Sequence, residues 1–106
     1  MWGECELVVG VCQVDLLIPG NASLKGKRKV LRGIIDRVKN RYNISISEIG
    51  DNDLWQRSQL GLSVVGNDTR HINSSLDKVI DFIERMNVAE VIGSQIEIIH
   101  VHGRDG

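Results

Sequence analysis

Positive charge is concentrated in residues 23–42, which makes this stretch the most chemically informative part of the chain. Eight of the thirteen Lys and Arg residues lie there with a single acid, Asp36, so the segment has a net charge of +7 against −8 for the rest. On a helix, five of these bases fall within an arc of about 100° beside an apolar stripe: Lys25, Arg28, Lys29, Arg32 and Lys39. Such a row can contact successive phosphates of a nucleic acid and release their counterions. The alternative is a solvated face that pairs with acids of another helix, for which Asp77, Asp81 and Glu84 are the candidates.

A second group of residues that can bind a partner lies in a polar segment between two expected strands. It consists of Asp53, Leu54, Trp55, Gln56 and Arg57. Trp55 beside Arg57 can stack on a base or anchor a protein partner. The alternatives are a hydrophobic lid over one end of a sheet and a contact between two copies of the chain.

Patterns typical of catalysis or metal binding are weak. No Ser–His, Cys–His or paired-carboxylate arrangement can be assigned, so we expect no catalytic residue and no cofactor. Glu48, Asp51 and Asp53 are possible Mg²⁺ ligands, but acids are common in polar loops and we expect no metal there. His100 and His102 would project from one side of a strand without a third ligand at a fixed spacing.

The first half of the chain predicts a strand, a helix and a second strand. Residues 6–18 are apolar in both alternating registers, which is typical of a central strand. Pro19 and Gly20 end this strand, and Ser23 is a candidate N-cap for the basic helix, with Asn43 as its C-terminal cap. The core stripe of that helix is Leu31, Ile34, Ile35, Val38 and Tyr42. Residues 44–49 then alternate as a short strand.

The second half repeats a strand, a helix and a strand. Residues 57–66 form the third strand, Asn67 or Asp68 caps the second helix, and residues 90–101 form the fourth strand. The stripe of the second helix is Ile72, Leu76, Val79, Ile80, Ile83 and Met86.

The order β-α-β-β-α-β predicts an α+β fold, the ferredoxin-like plait. Right-handed crossovers place both helices on one face of an antiparallel four-stranded sheet with strands one and three at its centre. We expect one domain over residues 1–106, with a core of about 6–101 and frayed ends at 1–5 and 102–106. Cys5 and Cys12 lie too far apart along one extended segment to bridge, so we expect one terminal and one packed thiol.

Three motifs carry a family resemblance: S-L-K-x-K-R at 23–28, D-L-W-Q-R at 53–57 and V-x-N-D at 65–68. With the segments around them, roughly residues 8–99 resemble the YlxP-like family of small bacterial proteins of undefined activity. The resemblance implies a ferredoxin-like fold in a cytosolic protein. Family genes often lie beside translation-initiation and ribosome-maturation genes, which implies a link to RNA or the ribosome. Gly26 departs from the family, which usually has an acid there, and the resemblance supplies no catalytic residue.

These observations favour a non-enzymatic, cytoplasmic module that binds RNA or the ribosome through the basic helix. No apolar run approaches the ~20 residues that span a bilayer, and the start MWGECE lacks the pattern of a signal peptide. One alternative is a protein-interaction dimer centred on Trp55. The other is a small enzyme that binds an anion in the loop Pro19–Lys27, where acylphosphatase-type ferredoxin-like enzymes hold phosphate, although their loop motif is not present here. Since one sheet face with Leu7, Val9 and Val11 would lack helices, we also expect a homodimer, formed through this face or through the edge of the fourth strand.

Overall fold

The computed structural model describes residues 6–101 and has the predicted β-α-β-β-α-β order of elements. The elements are β1 (Leu7–Leu17), α1 (Leu24–Arg41), β2 (Ser45–Gly50), β3 (Arg57–Gly66), α2 (Thr69–Arg85) and β4 (Glu90–Val101). The expected frayed ends at 1–5 and 102–106, together with Cys5 and His102, lie outside the described residues. None of the described helices is long and apolar enough to cross a membrane.

The four strands form one antiparallel sheet in the order β2-β3-β1-β4. The central strand β1 pairs with both neighbours along its whole length, so Cys12 lies opposite Leu62 of β3 and Ile96 of β4. This arrangement confirms the α+β ferredoxin-like plait and the central positions of β1 and β3.

The core lies between one face of the sheet and the two helices. Alternate residues of β1 and β3 point into it, and both helices add the centres of their predicted stripes. The most deeply buried apolar side chains are Val8, Val14, Leu16, Ile34, Val38, Leu60, Ile72, Leu76, Val79 and Ile83. Helix α2 approaches β1 so closely that a Cβ at Gly10 would collide with the side chain of Ile72.

Side-chain caps fix where both helices begin. The Ser23 hydroxyl accepts a hydrogen bond from the Gly26 N–H at 3.0 Å, and the Asp68 carboxylate accepts one from the Arg70 N–H at 3.1 Å. The predicted C-terminal cap of α1 is wrong by one residue, because Tyr42 holds that position with an extended backbone and donates its N–H to the Val38 carbonyl at 2.8 Å. Both helices therefore start at the residues that the sequence indicates.

Candidate nucleic-acid interface

Five residues of α1 form the predicted row of positive charge, and all of them are exposed. We call this set the basic row: Lys25, Arg28, Lys29, Arg32 and Lys39. Within residues 6–101 no member of the row forms an ion pair with a carboxylate. Exposed ammonium and guanidinium groups without carboxylate partners are free to meet phosphate oxygens.

The acids that were candidates to neutralise the row do not contact it in the described part of the chain. Asp81 pairs instead with Arg85 of its own helix, at 2.9 Å between carboxylate and guanidinium. Asp77 and Glu84 form no ion pair with α1, and neither does Asp36, which lies within the arc of the row. The charge of the row is therefore not cancelled by close pairing within residues 6–101.

Lys27 differs from its neighbours because its side chain is only 1% exposed. Its ammonium donates to the backbone carbonyls of Asp51, Asn52 and Arg57 at 2.6, 3.2 and 3.1 Å. It also lies 3.1 Å from the carboxylate of Glu48. Three N–H groups are thus shared among four acceptors, which satisfies a cation that burial would otherwise make costly.

The loop that carries Trp55 is joined to the start of α1 by a second set of hydrogen bonds. The Asn21 side-chain amide donates to the Trp55 carbonyl at 2.6 Å and to the Ser23 carbonyl at 2.7 Å. The Gln56 side-chain amide donates to the Asn21 carbonyl at 3.2 Å, and the Ile18 N–H donates to the Gln56 carbonyl at 2.8 Å. The two regions that the sequence marked separately therefore meet at one end of the sheet.

Trp55 and Leu54 are exposed by 53% and 48% at the tip of this loop. Asp53, Gln56 and Arg57 are exposed as well. A Leu-Trp pair that is half open to solvent does not act as a closed lid over the sheet, since a lid would bury its apolar surface. The loop instead presents an aromatic ring outward.

The residues considered for catalysis or metal binding have other contacts. The carboxylate of Glu48 pairs with the Lys27 ammonium and also accepts a hydrogen bond from the Ser58 hydroxyl at 2.8 Å. His100 lies 3.3 Å from the Thr69 hydroxyl. Burial, with a smaller contribution from the Asp77 carboxylate, raises the pKa of the Cys12 thiol from 9.0 to about 11. Cys12 is thus the expected packed thiol, and it is protonated and weakly nucleophilic at neutral pH.

The alternative anion-binding loop, Pro19–Lys27, contains Lys27 as its inward base. Since the Lys27 ammonium is directed at backbone carbonyls and Glu48, it does not point into an open anion cradle. Sequence reasoning missed Lys27, Asn21 and Glu48 as the residues that position the Trp55 loop. One feature of the sequence indicates the role of Lys27: on a helix it lies beside the apolar stripe of α1. A lysine at such a position is directed toward the core, where its charge needs a partner.

Comparisons with known proteins place the chain among uncharacterised relatives. A family model described as "Protein of unknown function (DUF503)" matches residues 9–96. The curated relative "Uncharacterized protein YlxP" of Bacillus subtilis (strain 168) is 39% identical over 77 residues, which cover 73% of this chain and 84% of the relative.

Two solved structures are similar at low identity. The de novo designed protein Foldit4 is 15% identical with a TM-score of 0.45, over 93% of this chain and 99% of that chain. A C-terminal segment of the alpha subunit of aIF2 from Pyrococcus abyssi is 12% identical with a TM-score of 0.48, over 92% of this chain and 52% of that chain. At these TM-scores neither likeness carries an argument about function.

Proposed function

The chain belongs to the DUF503 family of proteins of unknown function, and we propose that it is a non-enzymatic module that binds RNA or the ribosome through the basic row of α1. The observation that carries the proposal is a row of five exposed bases on one helix, none of which forms an ion pair within residues 6–101. At 1.5 Å per residue the row extends for roughly 21 Å from Lys25 to Lys39, which is long enough to contact several phosphates. The proposal places this activity in the bacterial cytoplasm.

RNA is favoured over DNA by the gene neighbourhood that the family resemblance implies. We expect the basic row to contact phosphates rather than to read bases, and contacts from Lys and Arg to phosphate oxygens carry no sequence information. Binding is therefore expected to be strongly salt-dependent and only weakly sequence-specific.

The test is RNA binding by a charge-reversed variant, Lys25→Glu, Arg28→Glu, Lys29→Glu and Arg32→Glu. Loss of about four phosphate contacts is expected to lower the RNA affinity by about 100-fold at 0.15 M salt. It is also expected to reduce the slope of log K against log[salt] by about three in magnitude. Fluorescence anisotropy with labelled RNA over a salt series measures both effects. Sucrose-gradient sedimentation of cell lysate shows in parallel whether the protein travels with ribosomal subunits and whether the variant does not.

A matched control carries the same change in net charge at other places. It combines reversals of four bases outside the basic row: Arg37→Glu, Arg70→Glu, Lys78→Glu and Arg85→Glu. Both variants lose eight units of charge from a chain of net charge −1, so general repulsion of RNA affects them equally. RNA affinity that falls equally in both variants, or in neither, contradicts a role for the basic row.

A second candidate function is protein binding through the Trp55 loop. The observation that favours it is the exposed Leu54-Trp55 pair, since aromatic residues on rigid loops often anchor protein interfaces. A protein partner that is captured by the wild-type chain and lost with Trp55→Ala, while RNA binding stays unchanged, supports this candidate.

A further inference from the structure

We infer that Trp55 and the basic row form one continuous surface for an unpaired segment of RNA, in which a base stacks on the indole while the adjoining phosphates follow α1. The inference rests on the proposed function and adds the class of RNA and the residue that selects it. It follows from the way the fold joins Trp55 to the start of a row whose members lie 16 to 30 residues earlier in the sequence.

The position of Trp55 is fixed relative to the first turn of α1. A single side chain, Asn21, holds both the Trp55 carbonyl at 2.6 Å and the carbonyl of Ser23, the N-cap of α1, at 2.7 Å. Gln56 returns a hydrogen bond to the Asn21 carbonyl at 3.2 Å. The backbone of Trp55 therefore lies one side chain away from the helix end where Lys25 and Arg28 begin the row.

Lys27 holds both ends of the same loop. Its ammonium binds carbonyls at the beginning of the loop, Asp51 and Asn52, and at its end, Arg57. A turn within the loop is closed by the Leu54 N–H, which donates to the Asp51 carbonyl at 3.1 Å. Because the loop is already ordered, stacking on Trp55 requires little further loss of conformational entropy.

Among the Phe, Tyr and Trp side chains of residues 6–101, one is suitable for stacking on a base. Tyr42 and Phe82 contact each other edge to face at 5.5 Å between ring centroids and pack against the core. The strands β1 to β4 contain no Phe, Tyr or Trp, and their one imidazole, His100 of β4, lies opposite the buried Val8 on the side of the sheet that the helices cover. The helix-free face of these strands therefore has no ring on which a base can stack. Trp55, which is 53% exposed, is the remaining ring.

An indole on a fixed loop discriminates between unpaired and paired RNA. Bases within a duplex are already stacked on each other, whereas unpaired bases can be stacked on an aromatic side chain. The neighbouring lysines favour RNA over a protein as the occupant, since lysine is depleted in protein interfaces and suits phosphate.

The experiment uses the full chain with Trp2→Phe, which leaves Trp55 as the only tryptophan. The probes are a short oligouridylate and an RNA duplex of equal phosphate number. We expect oligouridylate to quench Trp55 fluorescence and the duplex to leave it unchanged. We also expect Trp55→Ala to weaken oligouridylate binding by about tenfold or more and duplex binding hardly at all. Trp55→Phe keeps a ring and restores most of the affinity, while Leu54→Ala, in the same loop, has little effect.

The outcomes separate this inference from the proposed function. Oligouridylate binding that depends on the basic row but is the same in Trp55→Ala, without quenching, overturns the inference and leaves the proposed function standing. Absence of binding to either RNA overturns both. Loss of a protein partner without loss of oligouridylate binding in Trp55→Ala also overturns the inference and assigns the loop to protein recognition.

Discussion

Lys27 is the residue on which the geometry of the candidate interface depends. It is a base within the most basic segment of the chain, yet it points inward and holds three carbonyls of the Trp55 loop together with Glu48. Its neighbours on α1 leave their charges in solvent. The first turns of α1 therefore contain both Lys27, which holds the Trp55 loop in place, and exposed bases that are proposed to contact RNA.

Replacing Lys27 with Met is expected to destabilise the fold by about 3 kcal/mol. The substitution keeps much of the buried volume but leaves three carbonyls without the ammonium and the Glu48 carboxylate with only the Ser58 hydroxyl as donor within residues 6–101. Removal of one partner from a buried ion pair typically costs about 3–5 kcal/mol. We take the lower end because the Glu48 side chain is 20% exposed and can be reached by water. Denaturant unfolding measures the change.

The control for this substitution is Lys25→Met, two residues earlier on the same helix. Lys25 is exposed and forms no ion pair within residues 6–101, so its replacement is expected to change the free energy of unfolding by about 0.5 kcal/mol or less. Equal, small effects of the two substitutions show that the Lys27 contacts do not stabilise the protein.

Helix α1 contains two glycines whose surroundings differ. A Cβ at Gly33 meets no atom within 4 Å beyond the helix itself, whereas a Cβ at Gly26 would collide with the Asn21 side chain. Gly33 thus only weakens the helix, while Gly26 leaves room for the residue that holds the Trp55 loop.

Gly33→Ala is expected to stabilise the protein by about 1 kcal/mol, because alanine restricts the unfolded chain and favours the helix at a position with free space. Gly26→Ala is the matched substitution and is expected to give no stabilisation or a loss, since Asn21 must move. Thermal or denaturant unfolding of the two variants compares them directly. A larger gain for Gly26→Ala than for Gly33→Ala would show that Asn21 does not occupy the space beside Gly26.

The sequence predicts the elements well because periodicity and caps are local signals. Alternation in β1 and β3 and the stripes of α1 and α2 depend on spacing within one segment, and Ser23 and Asp68 act within a few residues of their own positions. Contacts between distant backbone groups have no such signal. The Asn21–Trp55 bond joins residues 34 apart through a carbonyl that every residue possesses, so only the fold reveals it. The burial of Lys27 is not predicted either, because lysine is rarely buried, although the position of Lys27 beside the apolar stripe of α1 favours it.

The sheet has one face that no helix of residues 6–101 covers. One end of this face is apolar, where Leu7, Val65, Ile99 and Val101 are 41%, 66%, 41% and 43% exposed. Leu7 of β1 lies opposite Val101 of β4, and Val9 of β1 lies between Val65 of β3 and Ile99 of β4, so these residues form one patch. An exposed apolar patch suits contact with an identical patch around a two-fold axis. We propose that a second copy of the chain covers it.

Dimerisation through this patch would leave both basic rows exposed, since α1 packs on the opposite face of the sheet, and two rows in one particle would strengthen RNA binding by avidity. Val65→Asp places a carboxylate at the most exposed residue of the patch and is expected to raise the dimer dissociation constant by about 100-fold or more, because burying an unpaired charge costs several kcal/mol. Analytical ultracentrifugation over a concentration series measures this constant. Val88→Asp makes the same change at an exposed valine between α2 and β4 and should leave the dimer intact. A wild-type chain that is monomeric at micromolar concentration contradicts the dimer, and a dimer that resists Val65→Asp contradicts this patch as its contact.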